Sequence, residues 1–167
     1  MVCFHRNYDL GDKHEYHYQD YNGWEEMEKD IIKKENVGVI LPLYLYDHSG
    51  ITMNTTGFEC RWDSGQVGFI FISKEKIREV FNIKRITKEW VEKITVYLKG
   101  EVETYDQYLR GNVFGYRICK VSTCDLGHEH EEQVDSCWGF YSEEECFSDA
   151  EGIVNYRINN EAESVVG

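Results

Sequence analysis

Apolar positions recur along the chain at two spacings, and the changes from one to the other lay out the expected elements. In residues 23–35, Trp24, Met27, Ile31 and Ile32 share one side of a helix that Asn22 is placed to cap. Residues 37–46 are apolar, β-branched and aromatic. The turn-like Asp47-His48-Ser49-Gly50 follows, and residues 51–55 are the expected hairpin partner. Trp62-Asp63-Ser64-Gly65 marks a second turn before the apolar run 67–72, a central strand. Ser73 is placed to cap a short helix to Phe81, and Thr87 a longer one. Trp90, Val91, Ile94, Tyr97, Leu98, Val102, Tyr105 and Leu109 make a single helical stripe on that longer helix. Gly100 interrupts it, which makes a break there an expectation, and Gly111 stops it. Residues 113–122 and 133–141 read as a β-hairpin joined by a polar, acidic tip. Ser142-Glu143-Glu144-Glu145 is a capping box for a last helix to Asn159. This order predicts an α+β fold, mainly antiparallel sheet with about four helices packed against it. Residues 1–159 are expected to form a single domain, with residues 160–167 a frayed tail.

Composition narrows the class. The chain has 167 residues, 41% hydrophobic and 29% charged, enough for one well-filled core. No stretch approaches the roughly 18 apolar residues of a membrane span, and the first residues do not read as a signal peptide. A protein of the cytoplasm is expected, with Cys3, Cys60, Cys119, Cys124, Cys137 and Cys146 as reduced thiols.

Charge changes the picture further. The net charge is −13, and it is unevenly spread: residues 121–167 hold 12 acids and one base, Arg157. Residues 121–151 contain no Lys or Arg, whereas residues 74–99 carry eight bases and four acids. An acidic face of this kind repels phosphates and attracts basic grooves, so direct binding to duplex DNA through it is not expected. Imitation of DNA is one reading; a solvated surface that serves solubility is the other.

Four sets of residues carry candidate chemistry. Cys119, Cys124, His128 and His130 are soft or borderline ligands within a short string, a possible zinc site, although their spacing departs from paired zinc-finger ligands. The bland alternative is a hairpin tip with an incidental thiol. Asp47, His48, Trp62, Asp63, Asp106 and Tyr108 are polar and aromatic residues that would line a pocket if the turns at 47–50 and 62–65 meet over the strand ends. Glu103 and Asp106, one helical turn apart, are a candidate carboxylate pair, and Cys3 with His5 a conceivable nucleophilic pair, against which a core thiol is favoured.

Three strings stand out together: Cys60-Arg61-Trp62-Asp63-Ser64-Gly65-Gln66-Val67-Gly68, residues 103–111 (ETYDQYLRG) and Asp135-Ser136-Cys137-Trp138-Gly139-Phe140-Tyr141. With residues 41–53 (LPLYLYDHSGITM) and 3–14 (CFHRNYDLGDKH), the chain resembles a family of small acidic proteins encoded by bacteriophages and prophages of low-GC bacteria. The resemblance runs to about Tyr156 and brings no catalytic residues. Family members often carry a further stretch ahead of Cys3, which leaves an N-terminal element either missing or dispensable. The resemblance implies a protein of the host bacterial cytoplasm. By analogy of lifestyle it suggests a non-enzymatic inhibitor of a host nucleic-acid-dependent defence system, of anti-CRISPR or anti-restriction type. The expected partner is a host nucleic-acid-binding effector or nuclease, not a membrane. The expected contacts are Glu129, Glu131, Glu132, Glu143, Glu144 and Asp149, with Trp138 and Tyr141 as anchors. A nucleotide-processing enzyme or nucleotide sponge, and a zinc-stabilised phage accessory protein, are the alternatives.

Overall fold

The computed structural model describes residues 1–60 and 62–165, with side chains to residue 160. The fold is α+β, with every strand pairing antiparallel. The chain divides into two compact units, Met1–Arg110 and Gly111–Gly167. The division falls just past a helix end, and no Pro- or Ser-rich linker marks it in the sequence.

The first unit is built on a sheet of order β1-β4-β2-β3, from β1 (Val2–Cys3), β2 (Val37–Asp47), β3 (Ile51–Asn54) and β4 (Ser64–Ser73). Helix α1 (Trp24–Lys34) covers one face through Met27 and Ile31, which pack with Val37 and Phe69. Helices α2 (Lys74–Val80) and α3 (Lys88–Leu109) cover the other. There Ile77, Ile94, Leu98 and Val102 meet Val39, Leu43, Leu45, Met53 and Ile70. Burial on both faces explains why residues 67–72 are apolar without alternation: Phe69 and Phe71 lie on the α1 face, Ile70 and Ile72 on the face covered by α2 and α3. Each fully buried Leu, Ile or Phe contributes about 1.5–3 kcal/mol. Irregular pairing between Val37 and Val39 turns Val37 towards α1 while Val39 faces α3. Pro42 is tolerated inside β2 because β3 pairs only with residues 44–47, which leaves that side of β2 an open edge at Pro42.

Two local expectations are corrected here. Helix α1 is capped at Gly23, with no side-chain cap bond; Asn22 instead gives its backbone and side-chain N–H groups to the Glu26 carboxylate. Helix α3 runs unbroken through Gly100, because the apolar stripe on either side keeps burying against the same sheet face. The Ser73 and Thr87 caps form as predicted, through side-chain oxygens accepting from Lys76 N–H and Trp90 N–H.

The second unit is a two-stranded sheet of β5 (Phe114–Thr123) and β6 (Glu129–Phe140), with α4 (Glu143–Val165) packed on it. Both strands reach further into the acidic segment than the sequence predicts, so Glu129, Glu131 and Glu132 sit in a strand and not in a tip. The turn is closed by Cys124 N–H donating to the His128 carbonyl and Gly127 N–H to the Cys124 carbonyl. Ser142 caps α4 by accepting from Glu145 N–H at 3.3 Å. The helix continues past Asn159 to Val165, so the expected tail is helical over residues 160–165; residues 166 and 167 lie outside the described residues.

Candidate functional site

The second unit carries most of the charge: among residues 111–167 there are 12 acids and three bases, a net −9. Its register decides how those acids are presented. Residues paired across an antiparallel ladder share a face. Tyr116, Ile118, Cys137 and Asp135 therefore face α4, and so does the Lys120–Glu132 pair. Gly115, Val121, Trp138, Glu129 and Glu131 stand on the opposite face, which no helix of this unit covers. Trp138 is 74% exposed there, and Val121 is exposed on the same face further along the hairpin, opposite Glu131. The indole lies across Gly115, where a Cβ would run into the ring. Glycine on β5 thus makes the seat for an exposed tryptophan on β6.

The expected partner contacts separate into two groups. Glu129 and Glu131 belong with Trp138 on the open strand face. Glu143 and Glu144 lie in the first turn of α4, where negative charge suits the positive end of the helix dipole. Among the described residues, none of Glu129, Glu131, Glu132, Glu143 and Glu144 enters an ion pair. Asp149 differs, because its carboxylate accepts from the Tyr116 hydroxyl at 2.7 Å. That bond, with burial and the nearby charge, pushes the Tyr116 phenol up to about 12. Asp149 is therefore an internal tie between β5 and α4. Arg157 makes a second tie, donating to the Val134 carbonyl and to Asp135, the latter at 3.1 Å. Tyr141 is 37% exposed just before the cap.

The four proposed zinc ligands are strung along the hairpin. Cys119 pairs with Gln133 on the open face, and His130 pairs with Ser122 on the other; Cys124 and His128 close the turn. At about 3.3 Å per residue, Cys119 lies well over 10 Å along the strand from the turn. No group of three or more His, Cys, Asp or Glu able to hold a metal is found among the described residues.

In the first unit the turns at 47–50 and 62–65 do meet. Asp47 N–H donates to the Asp63 carbonyl at 2.8 Å, and His48 Nδ1 lies 3.5 Å from the Asp63 carboxylate. Asp47, Trp62 and Asp63 line an open hollow of about 540 Å³ with residues 4–7. His48 opens on a separate one. Asp106 and Tyr108 line neither. The Asp106 carboxylate is spent on β3, accepting from Thr52 Oγ1 at 2.6 Å and Met53 N–H at 2.7 Å, and it is not paired with Glu103. Tyr108 is exposed and stacks on Tyr105. Cys3 is a core thiol, pushed up to about 11 by burial, and His5 stacks instead on Tyr8.

Several residues that shape these sites carry no signal in the sequence. Nothing local pairs Tyr116 with Asp149 or Arg157 with Asp135, which are distant along the chain and come together only where α4 packs on the hairpin. Gly115 could be found only by pairing β5 with β6 residue by residue. No helix among the described residues is long and apolar enough to cross a membrane. No protein-family model, no curated protein and no solved structure matches the chain.

Proposed function

We propose that this protein is a non-enzymatic binding protein whose residues 111–167 occupy a basic, nucleic-acid-binding surface of another protein and so act as a DNA mimic. The observation that carries the reading is the charge of that unit, −9 over 57 residues, with five carboxylates of the strand and helix turn outside any ion pair among the described residues. Carboxylates set along a strand and a helix end offer a basic groove a row of negative charges comparable to a phosphate backbone. Trp138, exposed on the same strand face as Glu129 and Glu131, supplies the apolar anchor that charge alone lacks. The resemblance to small acidic phage proteins supplies the setting: a host nuclease or CRISPR effector in the bacterial cytoplasm, blocked during infection.

The test is a cleavage assay. Purified restriction endonucleases and CRISPR effectors are titrated with the protein, with its Trp138→Ala variant and with a Glu129→Lys, Glu131→Lys, Glu143→Lys, Glu144→Lys variant. Inhibition by the native chain should weaken steeply with added salt and vanish in the charge-reversed variant. Inhibition that survives charge reversal, or no inhibition of any of these enzymes, overturns the reading.

A further inference from the structure

An open hollow of about 670 Å³ runs along the first half of α4 within the second unit. Phe140, whose ring also lies against that of Tyr116, lines it at the strand end, with Glu144 and Glu145 beside it and Ser148 and Gly152 one helical turn apart. Asp149 also reaches it, with one oxygen already taken by Tyr116.

Gly152 is the informative residue. Glycine is among the poorest residues for a helix interior. Its backbone is outside the left-handed region, and beyond its chain neighbours and the helix's own backbone no described atom lies within 4 Å of the place a Cβ would take. Neither strain nor crowding inside the chain asks for glycine there. What glycine leaves is room on the helix flank, between an aromatic ring and a pair of carboxylates.

From this geometry we infer that the hollow seats an arginine side chain of the basic partner. The inference rests on the binding role proposed above and narrows it to one contact. A planar guanidinium stacks on an aromatic ring and pairs with carboxylates, while its aliphatic stem lies along the space that Ser148 and Gly152 leave. A lysine ammonium is a point charge without the planar fit. A second copy of this chain is disfavoured as occupant, because it would bring two strongly acidic units together.

The test uses the isotope-labelled full chain and two probes, acetylated and amidated tetra-arginine and tetra-lysine. Tetra-arginine should shift the Ser148 and Gly152 amide resonances saturably and bind about tenfold more tightly than tetra-lysine. Gly152→Leu fills the hollow: it should raise Tm by improving the helix and still weaken tetra-arginine by about tenfold or more. A Glu144→Gln, Glu145→Gln variant should lose binding to a similar extent. Equal binding of the two peptides overturns the inference, as does undiminished binding to Gly152→Leu. So does a concentration-dependent shift of the same resonances without peptide, which would make a second copy the occupant. Each of these results leaves nuclease inhibition untouched, whereas inhibition that survives the Lys substitutions sinks the binding role itself.

Discussion

The Tyr116 hydroxyl donates to the Asp149 carboxylate at 2.7 Å, tying the first strand of the hairpin to the helix that packs on it. The bond favours the protonated phenol in the folded chain. Its contribution is therefore complete below the ordinary tyrosine value of 10.0 and is lost as the pH rises through about 12. Asp149→Ala should return the Tyr116 phenol towards 10, read by ultraviolet titration against a Tyr116→Phe control. A phenolate titration unchanged by Asp149→Ala would contradict the bond.

The Asp106 carboxylate stitches α3 to β3 through Thr52 and Met53. Truncation leaves the Met53 N–H without its acceptor, so Asp106→Ala should cost about 2 kcal/mol in urea denaturation. A loss below a few tenths of a kcal/mol would mean that these bonds do not hold β3 to α3.

Gly68 lies where β1 crosses β4, and a Cβ there would run into the Val2 carbonyl oxygen. That oxygen and the Cys3 Cα beside it are backbone and cannot yield as a side chain would. Gly68→Ala should destabilise the fold by about 2 kcal/mol, and hydrogen exchange should show the Phe4 amide, which donates to Val67, losing protection first. Unchanged protection there would mean that β1 does not need the close approach.

The six thiols should separate by reactivity. Cys137 is exposed, whereas Cys3 is buried with its thiol pushed up to about 11, and Cys146 is buried with its thiol pushed up by desolvation. At pH 8 only about one Cys3 in a thousand is thiolate. Iodoacetamide followed by mass spectrometry should label Cys137 first and Cys3 only as the chain unfolds. Equal rates would contradict the burial.

The first unit was largely legible because burial there is periodic. The α3 stripe and the continuous run at 67–72 each have one physical reading once both sheet faces are covered. Gly100 misleads because a single poor helix former loses to the buried residues around it, Leu98 and Val102 above all. Asn22 misleads because its side chain finds Glu26 before it finds the helix N–H groups. In the second unit both faces of the strands near the turn are exposed, so no alternation marks where β6 starts, and the carboxylates of Glu129–Phe140 look like loop. The candidate site was legible as a charge total. Its sorting was not: Asp149 is an internal tie and Asp106 a stitch because of contacts that only the packing of a helix on a strand creates.

The hairpin of β5 and β6 has a further consequence. A sheet of two strands leaves each with an unpaired rim of backbone N–H and C=O groups, the template on which identical chains polymerise. Carboxylates along β6 give every copy the same sign, so approach of one rim to another meets repulsion. Negative charge along β6 thus also keeps the molecules apart from one another, and added salt, which screens it, should favour pairing of one rim with another.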